Sequence, residues 1–433
     1  KALASTGISV WTLLNWWERA GRFGSSAADF GDGKLNVPEG GNGVPDLLDE
    51  ARWALEFELK MLVPEGQPLA GMAHQSLRDR TSNSLGIAPH QDPKERVLYR
   101  PTTAATLNVA ANAAQAARLF RPFDPAFAAR CLAAAERAWS AATAHPAEYA
   151  RPDGLGGYDD GDVSDEFYWA AAELYITTKK PAYKASLLRS PHYGSVPSVL
   201  PAGGGDEGGL ATPMNWRRVQ ALGSISLAVA PNELGDPAVD KIRKNVVAAA
   251  DAFGAIARRE GYRVPFRVGP AGYPWGSNSF VLNNLLIAAL AYDFTGRPAY
   301  RDDVAVGMDY LLGRNPMDQS YVTGYGHRAL KHPHHRFFSS QANRHYPEPP
   351  PGLLSGGPNS GLEDQHVQSA GLKGCAPAKC FRDDVDSFST NGVSLNWNAP
   401  LVWVAAFLDE QAGRRAARPA PGASTLAPQK APR

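Results

Sequence analysis

The sequence predicts an all-α protein in which paired helices form an (α/α)6 barrel with long loops at one rim. Four similar Pro-Ala turns recur through the middle of the chain: DPAF at Asp124, KPAY at Lys180, DPAV at Asp236 and RPAY at Arg297. Their prolines are separated by 56, 56 and 61 residues, which fits a helix–turn–helix pair plus one long loop per repeat. Alternating strand patterns are nearly absent from the chain.

Each of these turns should begin a helix, because proline at the first helical position has a suitable φ and loses no needed hydrogen bond. Asp124 and Asp236, just ahead of their prolines, are predicted N-caps. Apolar spacing predicts eleven helices, near 5–20, 44–62, 102–120, 125–143, 164–177, 181–188, 211–229, 237–259, 278–295, 299–313 and 396–411. Gly/Pro-rich loops are expected at 64–100, 190–210, 260–277 and 315–395, gathered at the rim that carries function.

Composition argues against two classes of partner. With 44 basic and 43 acidic residues and no long basic run, neither nucleic acid nor an anionic membrane is expected to bind. No apolar run reaches the roughly 18–20 residues that cross a bilayer. Residues 1–412 are predicted to form the barrel, and the Pro/Ala-rich segment 413–433 is predicted to be a disordered tail.

Two stretches near the C-terminal end resemble a known family. FRDDVDSFSTNGVSLNWNA, 381–399, and SYVTGYGHRALKHPHHR, 320–336, resemble the two active-site signatures of glycoside hydrolase family 9, the inverting cellulases. The positions in frame with the first signature are Phe381, Asp383, Phe388, Ser394, Asn398 and Ala399. The stretches beginning at Asn42, Asp162, Tyr273 and Ser355 also resemble this family, whose fold is the (α/α)6 barrel.

The resemblance implies hydrolysis of β-1,4-glucosidic bonds in cellulose or related β-glucans with inversion, but the catalytic Glu of the signature is Gly392 here. Lys1 resembles the last residue of a D-A-G-D-Y-G-K motif, so the aspartates that activate water are expected upstream of it. Any export signal, and an accessory carbohydrate-binding or Ig-like domain, are expected upstream as well, since the family is secreted. We therefore expect an inactive or nearly inactive chain. The alternative is a non-catalytic β-glucan-binding protein.

The second signature implies that His334 and Arg336 lie in the sugar site, where they would bind cello-oligosaccharide hydroxyls. A His run of this kind also fits a solvated loop or a metal site. Asp383 has either an active-site role or the ordinary role of a turn residue that accepts from backbone amides. Asp384 and Asp386 are too far from the acid position to be expected substitutes for Gly392.

Four aromatic residues, Trp216, Trp275, Phe280 and Trp397, resemble positions where the family stacks sugars. The C–H face of a pyranose packs well on an aromatic ring, and packing in the core is the alternative for each residue. Five other tryptophans at helical spacing are expected to be core or inter-helix residues: Trp11, Trp16, Trp17, Trp53 and Trp139.

Asp165 and Glu166 match a family calcium site, so a structural calcium is the one cofactor that the resemblance suggests. The alternative is ordinary helix-start chemistry with Ser164 as N-cap. Arg217 stands where the family has a further Asp, which weakens the calcium hypothesis. No zinc is expected, because His74 and His90 lack the nearby cysteines of zinc-holding relatives.

The chain contains three cysteines. Cys131 lies in an Ala-rich helical stretch and is expected to be a buried small hydrophobe. Cys375 and Cys380 flank a short loop, and their spacing is compatible with a disulfide, with free thiols or with a metal-binding pair.

Overall fold

The computed structural model describes residues 1–24, 27–81, 84–150, 158–201 and 209–416. The helices are α1 Leu3–Phe23, α2 Asp46–Lys60, α3 Thr103–Phe120, α4 Pro125–Ala144, α5 Ser164–Thr178, α6 Pro181–Arg189, α7 Gln220–Val229, α8 Asp236–Ala257, α9 Ser277–Thr295, α10 Pro298–Leu311, α11 Gln365–Val367, α12 Phe388–Asn391 and α13 Leu395–Ala416. Two small antiparallel pairs lie between α2 and α3: β1 Ala73–His74 with β4 Pro101–Thr102, and β2 Leu77–Asp79 with β3 Arg96–Leu98.

The helices form two layers. Helices α1, α3, α5, α7 and α9 are buried along most of their length, and α13 packs between α1 and α9 to close this inner layer. Helices α2, α4, α6, α8 and α10 each pack outside the inner helix that precedes them. The predicted all-α (α/α)6 arrangement is confirmed. An all-round apolar helix such as α9 is stable only with neighbours on every side, which the outer layer supplies.

Helix starts follow the predicted proline turns with one exception. Pro125, Pro181 and Pro298 each begin a helix, and the Asp124 side chain caps α4 by accepting from the Phe127 amide at 2.9 Å. Asp236 does not cap, because Gly235 is the N-cap of α8 and Asp236 is already inside the first turn.

Three predicted boundaries or environments are corrected. The stretch 211–219 is a loop rather than the start of a helix; Asn215 folds it into a turn by accepting from the amides of Arg217 and Arg218. Helix α13 continues through Ala416, past the predicted start of the tail, and 417–433 lie outside the described residues. Trp53, expected to pack between helices, is 70% exposed on α2.

The long connection between α10 and α13 is held together by backbone pairing. Isolated bridges join Val322 to Leu354, Thr323 to Leu330 and His334 to Gly392. This connection carries both motif stretches and rests on the rim of the helical layers. Among the described residues, no helix combines the length and the hydropathy required to span a lipid bilayer.

Candidate functional site

His334 lies beside Gly392, as the alignment of the two motifs predicts. Its backbone amide donates to the Asn391 carbonyl at 2.8 Å, and the two segments pair in parallel at His334 and Gly392. Its Nδ1 lies 2.6 Å from the Val385 carbonyl oxygen. The segment 385–392, about fifty residues further along the chain, therefore fixes both the backbone and the ring of His334.

The His334 imidazole is held neutral. Burial lowers the pKa of His334, and the hydrogen bond to Val385 only partly offsets that effect. A carbonyl oxygen can only accept, so Nδ1 carries the proton and Nε2 is the acceptor of the neutral ring. Such a group can accept a hydrogen bond from a sugar hydroxyl at neutral pH.

Gly392 is the C-cap of α12, and its backbone is held by hydrogen bonding. Its φ of −61° and ψ of 156° are open to any residue, and its carbonyl accepts from the Gly356 amide at 2.9 Å. A Cβ at this position would lie 2.7 Å from the Phe388 carbonyl oxygen and 3.6 Å from the Trp397 ring. A side chain at 392 therefore requires movement of the backbone around α12.

An aromatic wall borders this pair. The Trp275 ring is 40% exposed and lies 5.8 Å from Phe388, whose ring in turn lies 5.9 Å from His334. The half-buried Trp397 ring fills the space beside three glycines, Gly276, Gly356 and Gly392. The structure thus brings Trp275, Trp397, His334 and Gly392 into one group.

The Asp383 carboxylate accepts hydrogen bonds from two backbone amides and two side chains. The backbone amides are those of Lys331 at 2.9 Å and His332 at 2.8 Å. The side chains of Gln319 and Asn391 also donate to it, at 3.0 and 3.3 Å. Asp383 therefore positions the histidine segment, which favours the turn-residue alternative over direct chemistry.

Arg336 points to a neighbouring cavity rather than to Gly392. Its guanidinium pairs with Asp79 at 3.0 Å. The cavity has a volume of about 510 Å³ and is lined by Lys1, Phe57, Leu77, Arg78, Asp79, Arg96 and Arg336. Four cationic side chains around a single carboxylate give this cavity a positive potential.

The other two predicted sugar platforms have different surroundings. Phe280 is 3% exposed and stacks on Phe266 at 5.9 Å, so it belongs to the core and cannot contact a sugar in this structure. Its place on the all-apolar helix α9 explains the error. Trp216 is half-buried and packs edge-on against Tyr158 at 4.8 Å, beside Arg217.

Asp165 and Glu166 form a buried acidic cluster with Asp160 at the start of α5. The Asp165 Oδ2 accepts from the Val219 amide at 2.7 Å, while Asp165 Oδ1 and Glu166 Oε2 are buried with no hydrogen-bond partner in the described structure. Burial raises the pKa of all three carboxyls, that of Asp160 to about 7. Ser164 is not an N-cap, since α5 has no side-chain cap.

Arg217 only partly balances this cluster. Its guanidinium pairs with Asp159 at 2.8 Å and approaches Asp160 only to 4.0 Å. The unpartnered oxygens of Asp165 and Glu166 therefore fit a hard cation with carboxylate ligands better than they fit a helix cap alone.

The cysteines resolve the alternatives left open by their spacing. Cys375 and Cys380 form a disulfide with a Cα–Cα distance of 5.4 Å. Cys131 is a free buried thiol within α4, as expected.

Sequence reasoning missed several residues that shape the site. Phe388 was recognised only as a motif position, yet it joins Trp275 to His334. Val385 orients the His334 ring through a main-chain carbonyl, for which side-chain identity carries no signal. Asp79, the partner of Arg336, comes from strand β2, more than two hundred residues away, and only the fold reveals it.

Comparison with known proteins agrees with the fold and the motifs. The model of glycosyl hydrolase family 9 matches residues 1–405. The chain belongs to this family. A cellulose 1,4-beta-cellobiosidase of Acetivibrio thermocellus is 48% identical over 95% of the chain and 48% of its own length. Endoglucanase C of Cellulomonas fimi is 44% identical over 99% of the chain and 38% of its own length.

A solved structure, AaCel9A in complex with cellobiose-like isofagomine, superposes with a TM-score of 0.77 at 29% identity. The match covers 94% of this family 9 chain and 73% of that one. The chain spans about half or less of the length of the two curated relatives. The two names refer to enzymes that act on cellulose or glucan. Both of these proteins are about twice as long as this chain or longer.

Proposed function

We propose that this family 9 module binds β-1,4-glucan or cello-oligosaccharides along the aromatic group of Trp275 and Trp397, and hydrolyses them at no more than a trace rate. The exposed face of Trp275 offers a stacking surface, and neutral His334 beside it offers a hydrogen-bond acceptor. The cellulase names of the relatives and the cellobiose-like ligand of AaCel9A support this class of ligand.

Gly392 is the observation that carries the low-activity proposal. Inverting hydrolysis requires one carboxylic acid to protonate the leaving oxygen and a second carboxylate, about 6.5–9.5 Å away, to activate water. The signature places the acid at 392, where glycine has no proton to give. General acid catalysis typically contributes about 10²- to 10⁴-fold, so its loss alone lowers the rate by that order.

Neighbouring acids do not easily replace the missing one. The Asp383 carboxylate is saturated by backbone and side-chain donors, and the Asp384 carboxylate pairs with the Arg382 guanidinium at 3.7 Å. Asp386 is the exposed carboxylate of this segment. It is therefore the first residue to substitute if hydrolysis is observed.

The test compares reducing-sugar release from cello-oligosaccharides by three proteins. These are the chain itself, Gly392→Glu, and Gly392→Glu with an Asp-Ala-Gly-Asp-Tyr-Gly segment added directly ahead of Lys1. We expect trace release from the unmodified chain, which has no carboxylic acid at 392, and from Gly392→Glu, whose new side chain collides with the Phe388 carbonyl oxygen. The third protein should be the most active. Robust turnover by the unmodified chain would overturn the proposal.

A purely binding role is the second candidate, favoured by the intact aromatic group around Gly392. It differs from the first only in having no measurable hydrolysis at all, so the same assay separates the two. Under both, Trp275→Ala should weaken cello-oligosaccharide binding in calorimetry by roughly 1 kcal/mol or more, because it removes an exposed ring. Trp53→Ala is the control, an exposed tryptophan on α2 outside the group. Equal affinity of both variants would contradict the assigned cleft.

We also propose a structural calcium at Asp165 and Glu166, where the ion would bind the two buried carboxylate oxygens that have no hydrogen-bond partner in the described structure. Calcium should raise the melting temperature of the chain by stabilising only the folded state. Glu166→Gln should abolish that increase, whereas Glu136→Gln on the surface of α4 should keep it. An equal calcium effect in both variants would place the ion elsewhere.

A further inference from the structure

A second group of metal-ligand side chains lies behind the His334 segment. One ligand atom from each of His366, Asp384 and Asp386 lies within 4.8 Å of the other two. The His366 Nε2 is 3.3 Å from Asp384 Oδ1. The three residues come from two separate parts of the long connection, so folding assembles the group.

Hydrogen bonds to Asp364 fix the position of the short helix that carries His366. It lies in α11, whose N-cap Asp364 accepts from the Val367 amide at 2.8 Å. The other Asp364 oxygen accepts from the Ser389 amide at 2.9 Å, which ties α11 to α12. The His366 Nε2 is buried and makes no hydrogen bond in the described structure, although it is directed at the two carboxylates.

We propose that His366, Asp384 and Asp386 bind a first-row divalent cation such as Zn²⁺, with water completing the coordination. One imidazole nitrogen with two carboxylate oxygens suits this class, whereas calcium prefers oxygen ligands alone. Neighbouring ligands of a tetrahedral zinc are roughly 3.4 Å apart. The His366–Asp384 pair already has that spacing, and Asp386, which is exposed, is free to move inward.

The nearest cation is compatible with this site. Arg382 Nε lies 3.7 Å from Asp384 Oδ2, on the other oxygen of the carboxylate. Asp384 can therefore bind a metal through Oδ1, which also accepts from the Asp386 amide at 3.1 Å, while Oδ2 remains paired with the guanidinium. This site differs from the cysteine–histidine zinc site for which the sequence lacks ligands.

The site would act on the sugar-binding group through Val385, which lies between the two carboxylate ligands. Its carbonyl accepts from His334 Nδ1, and its amide donates to the Gln341 side chain at 2.8 Å. A cation bound on both sides of Val385 would limit the motion of this peptide, and with it the orientation of the His334 ring. The binding proposal itself does not depend on the proposed function.

The test is a Zn²⁺ titration of metal-free chain by calorimetry, in buffer saturated with calcium so that the acidic cluster of α5 is occupied. We expect one Zn²⁺ per chain. His366→Gln and Asp386→Asn should each weaken its affinity at least roughly tenfold, because each removes one of three protein ligands. Asp386 is exposed, so Asp386→Asn keeps the fold intact.

His327→Gln is the matched control. His327 forms an exposed pair with Asp318 at 3.5 Å, beside Arg328 and without a third ligand, so its loss should leave Zn²⁺ affinity unchanged. The visible absorption of bound Co²⁺ gives a second readout and should disappear in the same two variants. Equal Zn²⁺ affinity in the chain, His366→Gln and Asp386→Asn would overturn the proposal, as would no binding below millimolar Zn²⁺.

Discussion

Glu58 shows how a single buried carboxyl makes stability depend on pH. It lies on the inner side of α2, fully enclosed, and both its oxygens accept from the Asn112 side-chain amide at 3.1 and 3.2 Å. Burial raises the pKa of Glu58 to about 8. The Asn112 Oδ1 is buried without a hydrogen-bond partner in the described structure, so a protonated Glu58 has an acceptor at hand.

We predict that stability decreases with pH between about 4.5 and 8 because of this residue. Below pH 4.5 both states of the chain carry the proton, and the contribution of Glu58 is fully present; above about 8 the folded state must bury the charge. The effect on the free energy of unfolding is on the order of 5 kcal/mol. Glu58→Gln should flatten the profile measured by urea unfolding, and its amide can donate to Asn112. Glu56→Gln, at the surface of the same helix, should follow the original profile; parallel profiles for both variants would refute the assignment.

At the scale of single residues, the sequence predicted positions better than roles. His334 and Gly392 lie side by side, as is expected of residues that belong to the two active-site signatures of one family. The role of Asp383 could not be predicted, since a carboxylate within a loop motif serves equally as reactant or as acceptor for amides. Only the hydrogen bonds from Lys331 and His332 distinguish the two roles. Phe280 was misplaced because helix α9 is apolar on all sides, which hides the direction of each ring.

At the scale of helices, the Pro-Ala turns offer a test of capping within one protein. Asp124 accepts from the Phe127 amide and pairs with Arg52 at 2.9 Å, whereas Asp236 lies inside α8 without a capping bond. Asp124→Ala should lower the free energy of unfolding by roughly 0.5–2 kcal/mol. Asp236→Ala should change it by less, a few tenths of a kcal/mol, since only an interaction with the helix dipole is lost. Thermal unfolding of the pair measures both, and equal losses would show that the cap bond is unimportant.

All eleven predicted helices are present, the one predicted at 211–229 only from Gln220 onward, because apolar spacing over several turns reports burial directly. Residues 211–219 were predicted to be helical because the stretch is largely apolar. Pro213 and the turn at Asn215 interrupt a helix there, and the apolar residues are buried for another reason. Leu210, Ala211 and Met214 are buried under α9, whose Asn283 and Asn284 donate to the carbonyls of Met214 and Ala211. Burial without helical periodicity is difficult to recognise from one sequence.

At the scale of the whole molecule, a buried ionic contact closes the barrel. No sequence pattern predicted this contact. Arg19 of α1 binds Asp293 of α9 through two hydrogen bonds of 2.7 Å and also binds Glu410 of α13. All three side chains are at most 2% exposed. The contact joins the first inner helix to the last two, which lie about 270 and 390 residues further along the chain.

We predict that Arg19→Met destabilises the chain by roughly 3–5 kcal/mol, because it removes the cation that two buried carboxylates bind. The combined variant Arg19→Met, Asp293→Asn and Glu410→Gln should regain much of that loss, since it buries no charge. Arg80→Met, which breaks an exposed pair with Glu95, is the control and should change stability little. Urea unfolding followed by tryptophan fluorescence measures all four proteins, with Trp403 beside Arg19 as a local probe. If Arg19→Met unfolds at the same urea concentration as the original chain, the ionic contact does not hold the barrel closed, and the apolar packing of α13 between α1 and α9 must do so alone.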